Sequence, residues 1–164
     1  MTCARPRSGF RVTAILLTLA LVVAAAAWAA DRSAIAPVNA TNGTALKGYD
    51  PVAYFTVGQA IMPGRDAYMF RWKGLAYRFA SAENRDRFAA DPAKYVPQYG
   101  GYCAYAMAID RIADIDPERW AIVDGKLYLN NNRFAHALWS VNKGANIASA
   151  DGNWSAVPKA IEAQ

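Results

Sequence analysis

Apolar residues recur along this chain in short runs bounded by glycine, proline and asparagine. Tyr68-Met69-Phe70-Arg71-Trp72 and Leu75-Ala76-Tyr77-Arg78-Phe79 flank Lys73-Gly74, which predicts an antiparallel β-hairpin. Ser81 supplies an N-cap for a helix over about 82–90, and Asp91-Pro92 stops it. The pattern then repeats. Trp120-Ala121-Ile122-Val123 and Lys126-Leu127-Tyr128-Leu129 flank Asp124-Gly125, a strong hairpin turn. Asn130 or Asn131 can cap a helix over about 132–142, which Gly144 is expected to end. Counted from the turn glycines, Tyr77 and Tyr128 both lie three residues on, and Phe88 and Trp139 both lie fourteen on. The expected fold is α+β, with two antiparallel β-hairpin-plus-helix units packed in one small domain. The matched aromatics fit either a duplicated unit or a common supersecondary pattern.

The N-terminal region follows a different rule. Arg5, Arg7 and Arg11 precede a run from Val12 to Ala27 without a charge, and Ala27-Trp28-Ala29 closes it with small residues around one large one. A basic head, an apolar middle and a small-residue exit form the layout of a secretory signal peptide. Residues 1–29 are therefore expected to be a signal peptide, cleaved before Ala30 or Asp31. An uncleaved anchor is the alternative, although the apolar run is shorter than the roughly 20 residues of a comfortable span. Residues 30–46, rich in Ala, Asn, Thr and Ser, are expected to form a flexible linker. The domain proper is expected over 47–156, with a loose tail over 157–164.

Charge narrows the function classes. The whole chain carries 18 Lys and Arg against 13 Asp and Glu. Three of the basic residues lie in the leader, so the mature chain is nearly neutral, and its Arg, Lys, Asp and Glu residues are interspersed. That is a mixed solvated surface, and nucleic acid is not an expected partner. A hydrophobic content of 54% excludes a disordered chain.

The most distinctive stretch is Tyr95-Val96-Pro97-Gln98-Tyr99-Gly100-Gly101-Tyr102-Cys103-Ala104-Tyr105. Four tyrosines surround the one cysteine that survives leader removal. Cys103 there is either a soft metal ligand, with copper the ion that thiolate and thioether suit, a redox thiol or nucleophile, or a small buried hydrophobe. Tyr99, Gly100, Gly101 and Tyr102 are the ligand-binding candidates beside it. A catalytic thiol needs a base or a positive field. The only histidine, His136, falls opposite an arc of Phe134, Ala135, Leu138, Trp139 and Val141. If that arc packs inward, His136 faces solvent. Asp114, Asp116 and Glu118 alternate as in a calcium loop, but Arg119 stands where such a loop needs glycine.

Asp50-Pro51-Val52, the hairpin with Tyr77 and Phe79, Ser81, Phe88 and Asp91-Pro92-Ala93-Lys94-Tyr95 resemble a YHS domain over about 48–96. Gly100-Gly101-Tyr102-Cys103-Ala104 and Asp124-Gly125-Lys126-Leu127-Tyr128-Leu129-Asn130 resemble a subgroup of exported bacterial YHS-domain proteins, which extends the likeness to about Trp154. Metal-associated members of that family carry cysteines where this chain has Ala53, Ala80 and Asn84, and Arg78 follows Tyr77 in place of the signature histidine. The family's metal role is therefore not carried to those positions. The resemblance implies a small α+β fold and export. The combined expectation is a periplasmic or secreted, non-enzymatic binding module for a soft metal ion or small ligand near Cys103, with no stable membrane span after cleavage. The alternatives are a thiol-dependent redox enzyme using Cys103 and a purely structural or interaction protein, whose partner would be another protein.

Overall fold

A computed structural model describes residues 36–56 and 63–157. The signal peptide expected over 1–29 and the tail beyond Val157 lie outside the described residues. Two hairpins organise the rest. Strands β3 (Arg65–Trp72) and β4 (Leu75–Phe79) pair antiparallel with Trp72 opposite Leu75 and Phe70 opposite Tyr77. Strands β5 (Asp116–Val123) and β6 (Lys126–Asn130) pair the same way, with Val123 opposite Lys126 and Ala121 opposite Tyr128. Both two-residue turns use positive φ at each central position: Lys73 (47°) and Gly74 (76°), then Asp124 (50°) and Gly125 (72°). This is the hairpin turn whose twist matches right-twisted strands. The first hairpin is widened into a four-stranded sheet in the order β1-β2-β4-β3 by β1 (Ala40–Thr41) and β2 (Thr44–Ala45), while β5 and β6 form a separate sheet.

Helices follow from local caps. Helix α1 (Ala53–Thr56) begins after the Asp50-Pro51 turn. Helix α2 (Ala82–Ala90) starts where the Ser81 hydroxyl accepts from the Asn84 N–H at 3.1 Å. Helix α3 (Pro92–Tyr95) has Asp91 as its cap and proline in its first turn, where a missing N–H costs nothing. Helix α4 (Ala104–Ala108) is capped by Cys103. Helix α5 (Arg133–Val141) is capped by Asn132, whose side-chain oxygen accepts from Phe134 and Ala135. Helix α6 (Lys143–Ala156) is capped by Asn142.

The two halves are the same unit twice. Arg65–Trp72 corresponds to Asp116–Val123, Leu75–Phe79 to Lys126–Asn130, and Ala82–Ala90 to Arg133–Val141, all at a constant offset of 51 positions. Even the irregularity repeats: the ladder shifts between Arg65 and Met69 in one hairpin and between Asp116 and Trp120 in the other. A bulge at one matched place is a specific backbone feature, so the spacing of the aromatics reflects a real structural repeat.

The hydrophobic core joins the halves. Val52, Tyr54, Tyr77, Phe79, Phe88 and Tyr95 from the first half bury against Ile115, Leu127 and Leu129 from the second. A second cluster gathers Tyr99, Met107, Tyr128, Trp139, Ala150 and Val157. Phe88 packs on Tyr77 at 4.8 Å and Trp139 packs on Tyr128 at 5.4 Å between ring centroids, so each helix inserts its one buried aromatic beside the strand tyrosine of its own hairpin.

Three sequence expectations change here. From Ala36 on, the stretch read as a flexible linker belongs to the fold: β1 and β2 pair within it, and Ala45 and Leu46 are buried. Gly144 lies in the first turn of α6 and does not end a helix, because the Asn142 side chain starts a new one two residues earlier. On α5 the apolar arc is split, with Trp139 turned inward and most of the rest turned outward. Only Trp139 is buried, Phe134, Leu138 and Val141 are exposed, and His136 is half-buried. Among the described residues no helix is long and apolar enough to cross a membrane.

Candidate functional site

Cys103 caps a helix that opens after a strained turn. Tyr99, Gly100 and Gly101 have consecutive positive φ values of 55°, 61° and 80°. Gly100 is obligatory there, because a Cβ would run into the carbonyl oxygen of Pro37. Tyr102 then leads into Cys103, whose backbone N–H donates to Ala113 O at 3.0 Å. The thiol is 1% exposed. Its sulfur accepts from Asn131 N at 3.2 Å and Ala106 N at 3.4 Å, and its S–H is directed to Asn130 Oδ1 at 3.8 Å. Asn130 is fully buried, and the same oxygen accepts from Tyr105 N at 3.1 Å. The polar atoms bonded to the sulfur are thus amide groups. Among the described residues no three His, Cys, Asp or Glu side chains gather as a metal cage.

The first half holds the same arrangement with a different residue. Leu46, Lys47 and Gly48 run through positive φ at 54°, 52° and 83°, and Tyr49 leads into Asp50. The Asp50 carboxylate is completely buried. One oxygen accepts from Val52 N (2.8 Å) and Ala53 N (3.2 Å), the other from Ala80 N (2.8 Å) and Asn84 Nδ2 (2.6 Å). Ala80 and Asn131 are equivalent, each the residue that follows its hairpin. Asp50 therefore ties α1, the end of β4 and α2 together, and Cys103 ties α4, the end of β6 and the approach to α5.

The neighbouring tyrosines have separate tasks. Tyr99 is buried, and its hydroxyl donates to Asp151 Oδ1 at 2.9 Å. Burial first, and then that hydrogen bond, push its ionisation well above the usual tyrosine range. Tyr102 is half-buried and donates to Ala36 O at 3.0 Å; burial and the Asp114 charge raise it. Tyr95 belongs to the first core cluster, against Phe55 at 5.4 Å. The structure thus brings Tyr99, Gly100, Gly101 and Tyr102 together around a tight turn, with the Cys103 sulfur sealed beneath it.

An open cleft lies beside this turn. It has a volume of about 550 Å³ and is lined by Thr41, Asn42, Thr44, Lys47, Arg78 and Asp114. Asn39 connects it to the glycine turn: its side-chain amide donates to Gly101 O at 3.1 Å and to Asp114 Oδ1 at 2.9 Å. Lys47 Nζ meets Asp114 Oδ2 at 2.6 Å. Burial pushes the Asp114 carboxyl up, but Lys47, Asn39 and the Ile115 N–H together outweigh it and hold it below its ordinary value. Arg78 Nε sits 2.9 Å from Asp66 Oδ1, an ion contact with poor hydrogen-bond alignment. Two lining residues, Asn42 and Lys47, hold positive φ without being glycine, a strain the surrounding pairing must hold in place. Sequence reasoning passed over this cleft because its floor comes from the stretch read as a linker. The available signal was Asn42-Gly43 between two threonines, a hairpin signature.

His136 stands apart from all of this, 6.3 Å from the Trp139 ring by centroid. No protein-family model, curated protein or solved structure matches this chain.

Proposed function

We propose that this protein is an exported, non-enzymatic, YHS-like binding module that takes a small oxyanion, a carboxylate or phosphate, in the cleft beside the Gly100-Gly101 turn. One observation carries the reading: two cations, two hydroxyls and an amide converge with a single carboxylate, Asp114, on one open concavity. Lys47 and Arg78 already engage the carboxylates of Asp114 and Asp66, and both pairs are partly exposed. An incoming oxyanion can exchange with those partners at little net cost, because exposed ion pairs are worth about 1 kcal/mol or less. Placing the ligand here, and not on the Cys103 sulfur, follows from the burial of that sulfur and its amide partners. Export rests on the layout of residues 1–29.

Backbone NMR titration with inorganic phosphate, succinate and glucose tests the reading. Phosphate or succinate should shift the amides of Thr41, Asn42, Thr44 and Lys47, and Arg78→Ala should weaken that binding about tenfold, as loss of one charge-assisted hydrogen bond would. A parallel copper(I) titration of wild type and Cys103→Ser addresses the soft-metal alternative. Silence of the cleft amides toward both anions, or copper uptake that vanishes with Cys103→Ser, would overturn the assignment.

A further inference from the structure

The repeat contains its own control. Four matched positions are exposed on both helices: Glu83, Asp86, Arg87 and Ala90 along α2, and Phe134, Ala137, Leu138 and Val141 along α5. Both helices bury one aromatic at the matched site, Phe88 or Trp139. The first carries an ion pair of Arg87 with Glu83 at 2.6 Å. The second puts Phe134 and Leu138 in those two places, 66% and 52% exposed, with Val141 at 84%. The fold therefore does not require apolar residues on this face, since the same helix in the other half does without them.

The four positions fall at i, i+3, i+4 and i+7, the spacing of a helix-packing seam. The flanking charge has one sign. Arg133 stacks over the Phe134 ring at 4.9 Å, and Lys143 lies 5.7 Å from the Trp139 ring. Between Asp124 and Asp151 the sequence has no acidic residue but contains Lys126, Arg133 and Lys143. Docking of a second copy through this seam would set Arg133 against Lys143 or against itself, which like-charge repulsion opposes. A nine-residue helix is also only about 14 Å long. One of its faces falls short of the roughly 800 Å² per partner of a standard interface, so the seam fits a slender segment better than a whole domain.

We propose that the exposed face of α5 is a docking seam for an amphipathic helix of a partner protein, one whose apolar stripe is edged by Asp or Glu. The partner's leucine-type side chains would sit between Phe134, Leu138 and Val141, and its carboxylates would meet Arg133 and Lys143. This inference is independent of the cleft.

The test uses the purified protein and two synthetic helical peptides that share one leucine seam, one edged by glutamates and the other by lysines. Fluorescence anisotropy should show the glutamate peptide binding at least tenfold more tightly than the lysine peptide. The double substitution Phe134→Glu with Leu138→Arg installs the residues that α2 carries at the same positions. It should abolish the preference while leaving the melting temperature unchanged. Equal binding of both peptides would overturn the proposal, as would glutamate-peptide binding that survives the double substitution. Failure of the glutamate peptide to bind would overturn it too, whether the protein instead floats with phosphatidylglycerol vesicles or self-associates in sedimentation through these residues.

Discussion

The first and second halves of this molecule share a backbone and differ in what they place on it. Each passes through three residues of positive φ, then a tyrosine, then a buried cap. The cap is Asp50 in one and Cys103 in the other. The Asp50 carboxyl oxygens accept from four N–H donors. Cys103 receives two, at the longer distances sulfur allows. The geometry that points backbone N–H groups at this position therefore does not depend on a carboxylate. It is set by the turn before the cap and by the hairpin end that faces it. The aromatic beneath each helix is likewise kept, while the outer surface has gone from charged to apolar.

The comparison breaks most visibly at the two caps. Replacement of Asp50 by alanine leaves several buried donors without partners and should cost about 3 kcal/mol or more, given about 1–3 kcal/mol for each such group. Cys103→Ala should cost about 1–2 kcal/mol, near the usual loss of a helix cap. Urea denaturation of both variants measures the difference. Equal losses would show that the sulfur anchors its half as strongly as the carboxylate does.

A smaller effect concerns access to the sulfur. Because the thiol is buried, iodoacetamide should leave it unmodified in the folded protein and label it fully in denaturant, with mass spectrometry as the readout. Rapid labelling of the native protein would revive the thiol-redox reading and would separate Cys103 in role from Asp50.

The smallest effect lies on α5. Burial, and then the charges of Lys143 and Arg119, depress the His136 imidazole below its ordinary value of 6.5, and a backbone hydrogen bond to Arg119 only partly opposes them. The folded state therefore takes up the proton less readily than the unfolded chain. Stability from this group is complete above about pH 6.5 and declines as the pH falls through and below that value. The matched residue in the first half is Arg85, 51 positions earlier. His136→Gln should flatten the stability profile between pH 7 and 5, and an unchanged slope would place the effect elsewhere.

Much of the fold was legible because local rules govern it. Lys73-Gly74 and Asp124-Gly125 state their turns outright, and Ser81 states where α2 begins. For α5 the asparagine run announces a helix, but the cap is Asn132 and not Asn130 or Asn131, because its side-chain oxygen is the one that reaches the Phe134 and Ala135 N–H groups. The missed parts depend on contacts distant in sequence. Leu46 looks like the end of a loose stretch until the core closes on it. Helix α6 is built from Ala, Ser, Asn and Gly with little apolar periodicity, and what holds it is Ala150 and Trp154 packing against Tyr99 and its neighbours. The apolar arc of α5 holds both the buried Trp139 and the exposed Phe134, Leu138 and Val141, because periodicity alone does not say which edge of a stripe meets the core. At the site, Tyr99 to Cys103 were recognised as unusual, yet the sequence does not say that the sulfur turns inward or that Asp50 is its counterpart. The cleft was hidden because short polar residues read alike whether they form a linker or a binding surface.

The contact of Pro37 with Gly100, together with the Asn39 bonds to Gly100, Gly101 and Asp114, has a practical consequence for anyone trimming this protein. A fragment begun at Lys47, where the hydrophobic pattern starts, would lose two strands of the first sheet and uncover both the glycine turn and one wall of the cleft. Fragments meant for crystallisation or ligand screening should begin no later than Ala36.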